Sequence, residues 1–188
     1  MDHLWLIRHG ETEWSLSGAH TGSSDIPLTE AGREQAAALG AYLARHSFSL
    51  VLSSPLCRAL DTARIAGYQP QVDPDLCEWD YGAYEGRKTA DIRKERPGWS
   101  LWSDGVPGGE SIDQVAERAR RVIARARQSS GDVAFFAHGH LLRILAACWL
   151  ELAPADARLF ALGTASVSTL GHERETPVML RWNLQVAE

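Results

Sequence analysis

Cysteine is scarce in this 188-residue chain. There are three, Cys57, Cys77 and Cys148, an odd number with no C-x-x-C spacing. That excludes a disulfide framework and a thiolate zinc site, and it fits a reducing compartment. Long apolar runs are missing too. None approaches the roughly 20 residues of a membrane-spanning helix. The opening Met-Asp-His-Leu-Trp-Leu-Ile-Arg-His-Gly meets charge too early for a signal peptide. A cytoplasmic protein with no membrane partner is therefore expected. Positive charge is not in excess: 19 Lys and Arg stand against 24 Asp and Glu, a formal net charge of -5. The basic stripe of a nucleic-acid binder is absent, so no nucleic-acid partner is expected. No G-x-S-x-G occurs, which removes the serine hydrolases that use a nucleophile elbow. Internal repeats, low-complexity tracts and linkers are also lacking.

What is there reads as one domain over residues 1–188 with a full core. Leu4–Arg8 is a short apolar run that predicts a buried strand. Residues 10–28 form a long polar loop of the kind that carries function. Thr29 can N-cap a helix to about Arg45, with Ala36, Leu39, Leu43 and Ala44 at helical spacing. A strand at Leu50–Ser53 follows, then a helix with Pro55 in its first turn, ending near Gly67. Residues 70–109 look irregular, a cap-like insertion with one short helix near Thr89 to Arg96. Ser111 and Gln114 match a capping box for a helix to about Gln128. Val133–Ala137 is a strand, Leu141–Leu150 a helix. Two late strands fall near Ala165–Leu170 and Val178–Trp182. Strands alternating with helices predict an α/β three-layer sandwich: a central, mostly parallel sheet with helices on both faces.

Two histidines directly follow apolar strands: His9 after Leu4–Arg8, and His138 after Val133–Ala137. In open α/β sheets ligands bind beyond the carboxyl ends of strands, so both can face one pocket. Each precedes a glycine, Gly10 and Gly139, which permits close backbone approach. Arg8 adjoins His9, and Arg58 lies early in the following helix. Guanidinium forks match phosphate oxygens. Taken singly, each residue has an ordinary reading. A histidine at a strand end is a satisfied structural residue, an arginine on a helix is solvated, and Glu78 is a surface carboxylate. Composition and spacing alone leave a possible phosphate site and no more.

The string Leu6-Ile7-Arg8-His9-Gly10-Glu11-Thr12-Glu13-Trp14 resembles the signature of the histidine phosphatase superfamily, also called phosphoglycerate mutase-like. The likeness continues through Thr21-Gly22, through Pro27 to Gly32, and through Ser53-Ser54-Pro55-Leu56-Cys57-Arg58 to Ala63. It resumes at Glu78 to Gly86, Gly108-Gly109-Glu110-Ser111 and Phe136-Ala137-His138-Gly139-His140. It thus covers nearly the whole chain. The detail is most similar to small bacterial acid phosphatases and the sedoheptulose-1,7-bisphosphatase-like branch.

The resemblance implies a phosphomonoesterase acting on a small phosphorylated substrate, with sugar phosphates the first candidates, and without cofactor or metal. It makes His9 the nucleophile that carries a phosphohistidine. Arg8, Arg58 and a protonated His138 hold the phosphate oxygens. Glu78 is the proton donor, a role that needs its carboxyl protonated when substrate binds. Ser15, Thr21, Gly22, Tyr81, Gly139 and His140 join the substrate contacts. Ser15 stands where many members have Asn, and His140 where many mutases have Asn. Side chains alternate along a strand, so Arg8 and His9 can share one phosphate only if the strand has ended there.

Several rivals stay open. His138-x-His140 has the spacing of a metal pair, though no third ligand is evident. A non-catalytic phosphate binder would not need both His9 and Glu78. Phosphoglycerate mutase activity is the main alternative within the family, and a protein phosphatase another. The mutase reading is disfavoured by the lack of an adjacent arginine pair in the insertion. That segment offers Trp79, Tyr81, Tyr84, Trp99 and Trp102, expected mostly to pack. Arg87, Lys88 and Arg93 are candidates for a second phosphate, but on a short helix solvent is their expected place.

Overall fold

A computed structural model describes residues 1–186 of the chain. The strands are β1 (Leu4–Arg8), β2 (Phe48–Ser53), β3 (Gln71–Val72), β4 (Asp132–Ala137), β5 (Ser166–Glu173) and β6 (Thr176–Gln185). The helices are α1 (Glu13–Ser17), α2 (Glu30–Leu43), α3 (Cys57–Ile65), α4 (Thr89–Glu95), α5 (Leu101–Asp104), α6 (Ile112–Ala126) and α7 (Gly139–Trp149). The sheet order is β3-β2-β4-β1-β5-β6. The first four strands run parallel, and β5 and β6 add antiparallel pairs at one side.

The period-two alternation of strands divides the core. Leu4 and Leu6 of β1, with Val133, Phe135 and Ala137 of β4, pack against α6 and α7. Trp5, Ile7, Ala134 and Phe136 face the other way, onto Leu39 and Leu43 of α2 and Ala63 of α3. The central strands bury both faces, which is why they read as continuous apolar runs.

Helix starts follow local chemistry. The Thr29 hydroxyl accepts from the Gly32 N–H at the start of α2. Ser111 and Gln114 form the expected capping box of α6. The polar loop after β1 holds α1, started by a capping box between Thr12 and Ser15. Pro55 lies before α3 rather than in its first turn, because the chain is still extended at Leu56. The Asp25 carboxylate caps that helix from afar, accepting from the Cys57 N–H at 2.7 Å.

Residues 70–109 turn their apolar side chains inward. Leu76, Trp79, Tyr81, Tyr84, Ile92, Trp99 and Leu101 are buried in the same cluster as α6 and α7. Among the described residues, no helix is long and apolar enough to cross a membrane.

Candidate active site

The carboxyl ends of β1 and β4 lie side by side, because these strands pair in parallel with Arg8 opposite Ala137. A cavity of about 260 Å³ opens there. Of the predicted residues, Arg8, His9, Ser15, Thr21, Glu78, Gly139 and His140 line it. β1 ends at Arg8, and so Arg8 and His9 reach the same space despite their opposite directions.

His9 is held on both sides of its backbone. Its N–H donates to the Ala137 carbonyl at 3.0 Å, and its own carbonyl accepts from the Ala165 N–H at 2.9 Å. Its ring Nδ1 lies 2.7 Å from the Gly10 carbonyl oxygen. A carbonyl only accepts, so Nδ1 carries the proton and Nε2 keeps the lone pair. Burial, then the charges of Arg8 and Arg58, push the His9 pKa well below its ordinary 6.5. The ring is therefore neutral, with a fixed tautomer. Gly10 is itself wedged: a Cβ there would sit 2.4 Å from the Gly32 carbonyl oxygen. Its N–H donates to Thr62 Oγ1 at 3.0 Å.

Arg8 points toward α7. A Cβ on Gly139 would stand 3.3 Å from the Arg8 Cζ, so glycine lets the guanidinium lie against the start of the helix. Its Nη1 donates to the Leu162 carbonyl. Its Nε–H is buried and has no acceptor in the protein. Such an unmet donor costs about 1–3 kcal/mol, more for a charged group. An anion in the cavity is the natural partner.

Arg58 and His138 are fully buried and do not line the cavity. The His138 ring is centred 5.2 Å from that of His9. Arg58 Nε donates to His138 Nδ1 at 3.2 Å. Its Nη1 donates to the Ser24 carbonyl at 2.8 Å, and Nη2 to those of Thr21 and Gly22 at 3.1 and 3.0 Å. Since His138 Nδ1 accepts, the proton lies on Nε2, which donates to Ser54 Oγ at 2.8 Å. Burial first, then Arg58, depress the His138 pKa strongly. The expected protonated His138 is thus corrected to a neutral ring that orients Arg58. With both nitrogens engaged it offers no lone pair to a metal. Among the described residues no three metal-ligating side chains cluster.

Glu78 is buried at the start of α7. Its Oε1 accepts from the N–H groups of Trp79 and Leu141, at 2.9 and 2.8 Å. Its Oε2 accepts from the His140 N–H at 2.9 Å. Three backbone N–H groups on two oxygens hold the carboxyl group of Glu78 in one orientation at the cavity.

The remaining predicted contacts divide. Ser15 borders the cavity, but its hydroxyl is committed to the capping box with Thr12. Thr21 borders it, with its hydroxyl on the Ala19 carbonyl. The Gly22 N–H is taken by Glu85, at 2.9 Å to Oε1, and Gly22 lies outside this cavity. Tyr81 is 1% exposed and also lies outside it. Its hydroxyl meets His140 Nδ1 at 2.5 Å. Burial raises the Tyr81 pKa well above 10.0, so the phenol keeps its proton and donates. His140 is then neutral with its proton on Nε2. Tyr81 therefore acts behind His140 rather than on substrate. Sequence reasoning missed Trp14, Gly18, Ala19, His20, Thr89, Arg143 and Leu162, which complete the wall. A signal for Arg143 was present: it lies four residues after Gly139, on the same face of α7.

A model of the histidine phosphatase superfamily (branch 1) matches residues 4–185. The acid phosphatase of Mycobacterium tuberculosis is 44% identical over 175 residues, 90% of this chain and 86% of its own length. The sedoheptulose 1,7-bisphosphatase of Saccharomyces cerevisiae is 38% identical over 182 residues, covering 78% of this chain and 67% of that one. The solved structure of an open reading frame product from M. tuberculosis superposes with a TM-score of 0.95 at 40% identity, covering 98% of each chain. Sequence, fold and the strand-end histidine agree, and the chain belongs to the histidine phosphatase superfamily.

Proposed function

We propose that the protein is a phosphatase of small phosphorylated metabolites, sugar phosphates first among them, working through a phosphohistidine on His9. One observation carries the reading: a neutral His9 with a free Nε2 shares a cavity with the unmet, buried Nε–H of Arg8. A nucleophile and an anion-seeking donor in one pocket are what phosphoryl transfer requires. The relatives support it, an acid phosphatase and a sugar bisphosphatase among them.

The reaction has two steps. His9 Nε2 attacks phosphorus, a P–N bond forms, and the bond to the leaving oxygen breaks. Arg8 balances charge on the phosphoryl oxygens, while Arg58 keeps a positive field beneath His9 and helps hold it neutral. The leaving oxygen takes a proton from the Glu78 site. That proton arrives with the phosphate monoester, whose second ionisation is near pH ~6, and the carboxylate relays it. In the second step Glu78 takes a proton from water as the water attacks phosphorus. The P–N bond breaks, the imidazole is restored, and Glu78 hands its proton to the departing phosphate, which leaves as the monoanion and frees Glu78 for the next cycle. Splitting the displacement this way replaces weakly nucleophilic water with an imidazole for the harder step.

The test is a screen against phosphomonoesters, scoring released phosphate, followed by base quenching of a reaction with labelled substrate. Acid-labile label on His9 is the expected result, absent from His9→Ala, whose turnover should fall by at least ~10³-fold. A His9→Ala variant with near-normal turnover overturns the mechanism.

A further inference from the structure

Toward the amino end of β1, away from the strand-end cavity, a second cavity of about 250 Å³ is bordered by His3, Trp5, His46, Thr169, Leu180 and Arg181. The two cavities share no lining residue. Trp5 stands four residues before His9, roughly 13 Å along an extended chain at about 3.3 Å per residue. The floor is a row across three strands. Trp5 lies opposite Thr169 in the β1–β5 pair, and Thr169 opposite Arg181 in the β5–β6 pair. Opposed residues share a face of the sheet. Over β1 and β4 that face is covered by α2 and α3. His46, just beyond the end of α2, forms a wall, its ring centred 4.3 Å from that of Trp5.

The sheet is irregular at this row. β6 carries one extra residue on each side of Arg181, since Val167 pairs with Leu184, Thr169 with Arg181 and Leu170 with Met179. Bulges interrupt the ladder and re-aim side chains. Leu180 is left 53% exposed. Gly171 makes room beside it: a Cβ there would lie 2.7 Å from Leu180 Cδ1 and 3.1 Å from His3 Cδ2. The Thr169 hydroxyl is buried with no hydrogen-bond partner, in a residue only 6% exposed. Such a group destabilises a fold unless something else meets it. Arg181 is aimed without being neutralised. Its Nη1 donates to the Tyr42 hydroxyl of α2 at 2.5 Å. Its other nitrogens have no acceptor, and no carboxylate pairs with it, among the described residues. Asp132, the carboxylate at the start of β4, is engaged elsewhere. It accepts from the His3 N–H at 3.0 Å, from His3 Nδ1 at 2.9 Å and from Trp5 Nε1 at 2.9 Å.

We propose that this cavity binds a small organic carboxylate with a short apolar body. The carboxylate takes the open edge of the Arg181 guanidinium, and one of its oxygens accepts from the Thr169 hydroxyl. The body lies on Leu180 and the His46 ring. Arg181 is the one arginine or lysine of the lining. A single guanidinium matches a planar monoanion better than a phosphate dianion. The volume is below the roughly 300–1,000 Å³ of drug-sized sites, which limits the ligand to about one ring. None of these residues takes part in the phosphoryl chemistry, so the site stands or falls apart from it.

The test titrates benzoate, benzamide and inorganic phosphate separately into isotopically labelled protein and reads backbone amide shifts by NMR. Benzoate should move the amides of residues 3–5, 168–171 and 180–182 saturably, with a Kd of about 1 mM or below. Benzamide, its neutral isostere, should bind there at least ~10-fold more weakly. Arg181→Met should weaken benzoate by about 10-fold, and Thr169→Val by about 3–10-fold. Should Arg181→Met not fold, Arg181→Lys keeps the charge, loses the fork and should still weaken benzoate. Four results each overturn the site: no saturable benzoate shift at these amides, equal binding of benzoate and benzamide, phosphate occupying this cavity as well as benzoate does, and benzoate affinity unaltered by the Arg181 and Thr169 substitutions.

Discussion

The Nδ1–H of His9 donates to the carbonyl of the next residue, Gly10, across 2.7 Å. One short contact between neighbours in sequence fixes which nitrogen attacks. The same burial that shields this contact also keeps the ring unprotonated, helped by Arg8 and Arg58. The nucleophile should therefore survive in acid. After correction for ionisation of the substrate near pH ~6, the acid limb of kcat/KM should fall below the ordinary histidine value of about 6.5. Arg8→Met removes one depressing charge and should move the limb upward, alongside a large loss of rate. A wild-type limb at or above 6.5 would show that His9 titrates normally.

Glu78 meets the cavity at the start of α7, where three N–H groups hold both oxygens. Glu78→Gln keeps the shape but cannot relay a proton. Alkyl phosphate hydrolysis should slow by ~10²–10⁴-fold. Hydrolysis of p-nitrophenyl phosphate should slow far less, since its leaving group barely needs a proton. The comparison is of kcat/KM on the two substrates. Equal losses would remove Glu78 from proton transfer.

Gly10 is a packing constraint as much as a catalytic one. A methyl group at Gly10 would lie 2.4 Å from the backbone oxygen of Gly32, with Gly32 itself pressed on Glu11. Backbone cannot yield as a flexible side chain does. Gly10→Ala should destabilise the fold by roughly 1–3 kcal/mol and misplace the carbonyl that orients His9. A urea unfolding midpoint within error of wild type would refute the clash.

Much of this was legible because strands and caps carry local signals. Leu4–Arg8 and Val133–Ala137 read as strands from continuous apolar character, and their ends located His9 and His138. Ser111 and Gln114 announced α6. The likeness over Glu78 to Gly86 added Glu78, which composition alone would leave on the surface. Other features depend on contacts distant in sequence. Nothing near Arg58 tells that the carbonyls of Thr21, Gly22 and Ser24 receive its guanidinium. Nor does Tyr81 reveal that its hydroxyl supports His140 from the core side. The α1 helix was missed because Thr12-x-x-Ser15 replaces the usual Glu or Gln of a capping box with a shorter side chain.

The buried histidines also set a limit on acid tolerance. His9 and His138 both have folded-state pKa values well below 6.5, the first cause in each case being burial. In the unfolded chain both titrate near 6.5. Below that value the unfolded state binds more protons than the folded one, so acid favours unfolding. Their contribution is present in full above pH ~6.5 and is lost progressively as pH falls toward the depressed folded values, at about 1.4 kcal/mol per pH unit for each ring. Carboxylates such as Asp75, whose pKa Arg121 lowers from 3.8, weaken the fold only in stronger acid. Urea midpoints should therefore be level from pH 8 to about 7 and decline from about 6.5 downward. Asn in place of His138 removes one titrating ring, and the slope between pH 6 and 5 should shrink even if the midpoint itself drops. A flat wild-type profile across that interval would mean that these rings are not held neutral in the folded protein. The depressed pKa that preserves the nucleophile in acid would then have no basis either.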